Sequence, residues 1–142
     1  CANRSPQSAK PLPQAHSQYH EPATPHPVIH LPRLKDGEEA PMCLGRAPVA
    51  LKPGSHLHTI YGDDVIYERH RHRYQVNEDY RHLLEDKGLC FSGHTPGVNQ
   101  VAAVELPSHP FFLATIFHPE FKSRPTRPHP IFKAFVKAAK GL

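Results

Sequence analysis

The sequence predicts an α/β fold: a mixed sheet with flanking helices behind a flexible N-terminal segment. Three observations predict it. An apolar run at 111–117, FFLATIF, reads as one buried strand. Two more strands, at 89–92 and 100–106, flank a turn at 94–99 and form an antiparallel pair. Two stretches of helical period, 78–87 and 131–140, each carry apolar residues on one face.

The front of the chain is different material. Of 142 residues 17 are proline, and ten of those lie within the first 53. Residues 1–22 are rich in Pro, Ser, Gln, Ala and His without helical or strand period, so they read as flexible or extended. Residues 23–41 continue as loop, since Pro25, Pro27 and Pro32 exclude helix, with a short edge contact at 28–31. The domain proper is therefore expected over 23–142. From 42 to 51 the residues alternate roughly, and Pro48 makes this an edge strand. Ser55 can cap a short helix that ends at Gly62. Residues 65–76 read as strand or extended loop, and Asn77 or Asp79 caps the helix that follows. That helix turns Tyr80, Leu83 and Leu84 inward. Pro130 opens the last helix, whose apolar face is Ile131, Phe132, Phe135 and Val136.

Charge and cysteine content bound the function. Net charge is +4, which permits anionic partners, but no Lys/Arg run interleaved with aromatics points to nucleic acid. Three scattered cysteines give no disulfide framework and suit a reducing compartment. No apolar run is long enough to span a membrane. The opening Cys1-Ala2-Asn3-Arg4-Ser5 has neither an initiating Met nor a secretory apolar region, as expected of a processed chain or a piece of a longer one.

The strongest chemical signal follows the apolar run. His118-Pro119-Glu120 places a titratable pair at a strand's C-terminal end, where open α/β sheets put their chemistry. Pro119 holds His118 extended and turns the chain, so Glu120 can curl back to the imidazole. This is the orienting half of a nucleophile–His–carboxylate triad. Alone, the tripeptide also fits a plain strand-end turn. Arg69, Arg71 and Arg73 share one strand parity, and His70 and His72 the other. By themselves they read equally as a solvated basic strip. His56 with His58, and His70 with His72, have a spacing that could chelate zinc, but no Cys/His completion is visible in the sequence. Surface histidines, and no metal site, are expected. The stretch 122–128 reads as a basic surface loop, and Cys90 as a small core residue.

Three blocks carry a family resemblance: Thr24-Pro25-His26-Pro27-Val28-Ile29, the run Glu68-Arg69-His70-Arg71-His72-Arg73-Tyr74-Gln75-Val76-Asn77, and Phe117-His118-Pro119-Glu120-Phe121 with His129-Pro130-Ile131-Phe132 after it. In this order and near-family spacing they resemble the C-terminal part of the class I glutamine amidotransferase domain of CTP synthases. The resemblance covers about residues 21 to 140. It implies a partial flavodoxin-like fold, with His118 and Glu120 catalytic and Arg73 and Tyr74 binding glutamine. The intact family enzyme aminates UTP to CTP with ATP, Mg and ammonia from glutamine. It is cytoplasmic and a homo-oligomer when full length.

The chain departs from the family at several points. Gln18 or Tyr19 falls where a glutamine-contacting Glu belongs, and Ile116 stands for a usual Gln. Met42-Cys43-Leu44-Gly45 mimics the family's nucleophile elbow, yet by position it matches a segment with Arg in place of Cys43. Neither Cys1 nor Cys90 has the elbow's glycine frame. With no framed nucleophile, no synthetase domain and no cofactor site, the chain alone is expected to be inactive. The competing readings are a nonenzymatic remnant or partner-binding module, and a basic nucleic-acid module.

Overall fold

The computed structural model describes residues 12–98 and 100–141. The expectation of a flexible start, made for residues 1–22, therefore falls outside the described residues for its first half, 1–11. Within 12–22 the chain does form a strand, β1 (Ala15–Ser17), which pairs parallel with β2 (His26–His30). Thr24 Oγ1 donates to the Gln14 carbonyl, and Gln18 Oε1 accepts from Leu31 N–H, so side chains rather than period hold this pair.

The sheet read as one is two. β1, β2 and β5 (Gln75–Val76) make a small three-stranded sheet. The main sheet runs in the order β4 (Val65–His72), β3 (Cys43–Leu51), β6 (Cys90–Thr95), β7 (Gln100–Glu105), β8 (Leu113–Thr115), all antiparallel. β3 is an edge only in its first part. It pairs with β4 from Cys43 to Ala50, and β6 joins at Ala50 and Leu51, past Pro48. Proline is thus confined to a stretch with one open side.

The apolar run at 111–117 is not one buried strand. Only Leu113–Thr115 pairs, and Phe112 is exposed. Among the described residues the strand is an edge, with β7 as its one neighbour, so its outer residues have little to pack against. Beyond it Phe117 is buried and bridges to His70 of β4. Because β4 is the opposite edge of the sheet, this bridge curls the sheet so that its two ends approach.

The helices start where their caps allow. α1 (His56–Tyr61) has Ser55 accepting from His58 N–H and ends at Gly62 in the left-handed conformation, φ 75°. Buried Glu105 of β7 also accepts from His56 and Leu57 N–H, which ties this short helix to the sheet. α2 (Arg81–Asp86) follows a 3-10 turn, Glu78–Tyr80, capped by Asn77. α3 (Pro130–Lys140) buries Ile131, while Phe132, Phe135 and Val136 stay exposed, against expectation.

The core joins Val49, Leu51, Leu57, Ile66, Ala102, Ala103, Phe117 and Ile131. Its close approach is at Gly93, where a Cβ would stand 3.1 Å from Val49 Cγ1 and 3.2 Å from Ala103 Cβ.

Candidate active site

The candidate site lies where the chain crosses from β8 to β4. His118 N–H donates to the Arg69 carbonyl at 2.8 Å, fixing the backbone of His118 against the sheet edge. His118 is extended, φ −109° and ψ 88°, as the residue before proline must be. Pro119 then opens a 3-10 turn, Pro119–Phe121, and this turn carries Glu120 back toward the ring. His118 Nδ1 and Glu120 Oε1 stand 2.6 Å apart. The hydrogen bond from His118 holds the Glu120 carboxyl below the usual carboxylate range. Phe121 stacks on the other side of the imidazole, centroids 5.1 Å apart and planes 15° from parallel. A ring hydrogen-bonded at Nδ1 and stacked on one face has its orientation fixed, with Nε2 left to do chemistry.

A buried network holds the far end of this turn. Glu68 of β4 is fully buried, and its Oε1 takes three partners: Lys122 Nζ at 2.9 Å, Tyr61 Oη at 3.1 Å and His129 Nε2 at 3.2 Å. Burial pushes its carboxyl upward, but hydrogen bonds from His129 and Lys122 outweigh this and leave it below the ordinary range. Lys122 also donates to the Tyr67 carbonyl at 2.7 Å. The stretch at 122–128 is therefore not simply a basic surface loop, since Lys122 ties it to the sheet. Nothing in the spacing of Glu68, Lys122 and His129 announces that they meet; that needs β4 and the 118–129 segment side by side.

Arg73 and Tyr74 stand apart from this pair. Among the described residues, no hydrogen bond or ion pair connects either to His118 or Glu120. Arg73 forms an exposed ion pair with Glu39 at 3.5 Å. Tyr74 packs edge-on against Tyr19, centroids 5.5 Å apart. Both line a mostly apolar cavity of about 520 Å³ between the two sheets, with Tyr19, Ile29, Ala102 and Ile116 among its walls. Gln18 is spent on the backbone of Leu31, so Tyr19 reaches this cavity in its place.

The histidine pairs also part company. His58 Nε2 meets Asp64 at 2.9 Å and His56 packs on Phe111, so those two do not converge. His70 and His72 are not surface residues: His70 is 3% exposed, with its Nδ1 at 3.1 Å from His72 Nε2. Burial, then the neighbouring His70, pushes His72 down to about 4. Cys43 lies beside them, completing a three-residue group that the sequence spacing does not reveal. Cys43 opens a strand rather than a helix, and burial raises its thiol. It is neither elbow nor thiolate. Cys90 is half-buried and accepts from Lys52 Nζ at 3.5 Å.

The family model of the glutamine amidotransferase class-I domain matches residues 29–138. The chain belongs to this family. Its relatives include CTP synthase of Geobacillus kaustophilus, 50% identical over 128 residues, which are 88% of this chain and 24% of the relative. CTP synthase of Halalkalibacterium halodurans is 52% identical over the same shares. Among solved structures, the glutaminase domain of Trypanosoma brucei CTPS with bound acivicin superposes with TM-score 0.81 at 39% identity, over 90% of this chain and 51% of that one. The chain is homologous to the glutaminase domain of CTP synthase and spans about a quarter of the length of the curated relatives it matches. The partial class I amidotransferase fold expected from its motifs is the fold it has.

Proposed function

We propose that this chain supplies the histidine–carboxylate half of a glutaminase centre that serves CTP synthesis. The observation that carries this reading is the 2.6 Å contact between His118 and Glu120 on a turn held from both ends. Glu120 accepts from Nδ1–H, which leaves Nε2 unprotonated and able to take the proton of a thiol. The thiolate adds to the amide carbon of glutamine. The imidazolium then returns the proton to the departing nitrogen, and ammonia leaves a thioester. Next, water attacks that thioester with Nε2 as base, and the proton goes back to sulfur as glutamate is released.

No described cysteine is framed to attack, so the nucleophile comes from another polypeptide segment. Arg73, with Tyr74 beside it, is the glutamine-binding side of this reading. Its planar guanidinium suits the substrate's α-carboxylate, and its exposed partner Glu39 is readily exchanged. ATP and Mg belong to the amination of UTP in the intact enzyme. This chain has no Gly-x-x-x-x-Gly-Lys run to cradle their phosphates, so no step here passes through them. A cytoplasmic homo-oligomer including a synthetase domain completes the proposal. Among the described residues, no helix is long and apolar enough to cross a membrane.

Complementation tests this reading. The purified chain alone is expected to release no ammonia from glutamine. Mixed with the preceding part of the Geobacillus kaustophilus relative, it should restore hydrolysis, and His118→Ala should abolish the gain. Ammonia release by the chain alone, or restored activity indifferent to His118→Ala, would overturn the proposal.

A further inference from the structure

We propose that Cys43, His70 and His72 form a binding site for a divalent ion that prefers thiolate and imidazole, with Zn²⁺ as its ligand.

Register puts the three together. Cys43 of β3 is the direct cross-strand partner of His72 of β4, and His70 lies two residues away on the same face. One ligand atom from each lies within 4.8 Å of the others. Directly opposite His70 is Gly45, where a Cβ would have nothing within 4 Å.

The hydrogen bonds prepare the donors. His72 Nδ1 meets the Tyr74 carbonyl at 3.1 Å, so that nitrogen carries the proton and Nε2 carries the lone pair. A ring N–H donated to a backbone carbonyl is the usual support of a metal-bound histidine. His72 Nε2 in turn accepts from His70 Nδ1. That leaves His70 Nε2 as a lone pair, and it is buried without a hydrogen-bond partner. The ion takes the place of the proton shared between the rings: that proton moves to His70 Nε2, and His70 Nδ1 and His72 Nε2 then turn two lone pairs toward the metal beside the Cys43 thiol.

The geometry is close to what zinc requires. Two nitrogens bound tetrahedrally at about 2.0–2.1 Å stand roughly 3.3 Å apart. The facing nitrogens of His70 and His72 are at 3.1 Å. Burial disfavours the charged form of both rings. On binding, the Cys43 S–H bond is replaced by an S–Zn bond and one proton leaves to solvent. Three protein ligands leave one position for water. One sulfur and two imidazoles select zinc over magnesium or calcium, which take oxygen.

The test is a Co²⁺ titration of the full chain, read by the thiolate-to-cobalt charge-transfer band. One equivalent should bind, and Zn²⁺ should displace it. The double variant Cys1→Ser with Cys90→Ser should keep the band. Cys43→Ser should lose it and weaken Zn²⁺ binding by about tenfold or more. Should Cys43→Ser fail to fold by circular dichroism, His72→Gln decides. There the band should persist at about tenfold or more weaker affinity. No band in the folded chain, a band that survives in Cys43→Ser, or unchanged affinity in His72→Gln would each overturn the site.

Discussion

Glu68 shows how one residue can hold a site it never touches. Its single oxygen Oε1 takes Lys122, Tyr61 and His129, and through Lys122 it pins the turn that carries His118 and Glu120. Replacing it with Gln removes the charge and leaves His129 buried beside an amide. Glu68→Gln is expected to cost about 1.5–3 kcal/mol near neutral pH, the scale of hydrogen bonds to a charged group, with half-exposed Lys122 favouring the lower end. The sign with pH follows from the depressed native pKa. The contribution is complete above the ordinary Glu value of about 4.3 and fades as pH falls through the lower native value. Urea denaturation of both proteins should show the gap narrowing in acid. A gap of equal size at both ends would mean that Glu68 acts by packing alone.

At the scale of elements, the last helix and the strand at 111–117 show what pattern reading resolves. The periodicity of α3 and its opening proline are legible, and so is its apolar face. Which of those residues finds a partner is not, because that depends on what packs opposite. Ile131 reaches the core, whereas Val136 is 50% exposed. Ile131→Ala should therefore cost about 2–5 kcal/mol, and Val136→Ala under about 0.5. Denaturation midpoints of the two variants check this; similar losses would mean that the helix docks on a different face. The run at 111–117 fails as one strand for a related reason. An apolar stretch of that length does not reveal whether it will be central or an edge.

For the whole molecule, the legible part is what the three motif blocks carry: the fold, and the turn on which His118 meets Glu120. Two things escape sequence reading. One is the division into two sheets, because β1 and β5 are too short to carry a period. The other is the pair of polar clusters around Glu68 and His70, which exist only once β4 lies between β3 and the 117–118 crossing. Arg73, a glutamine-binding residue by the family resemblance, makes no hydrogen bond or ion pair with His118 or Glu120 among the described residues. The cavity wall it occupies belongs to the gap between the sheets.

The alternation along β4 has a genetic consequence. Ile66, Glu68 and His70 are buried while Val65, Tyr67, Arg69 and Arg71 face outward. Any one codon here can change and disturb one face only. A single inserted codon inverts every side chain beyond it, turning arginines inward and the carboxylate out. Length variation in this gene should therefore be tolerated at Asp63 and Asp64, in the turn before β4, and rejected within the strand. An alanine codon inserted between Asp63 and Asp64 should leave a folded product. The same codon between Tyr67 and Glu68 should leave none, as judged by soluble yield and circular dichroism. Equal yield from the two insertions would mean that the reading frame of this strand is not what the fold depends on.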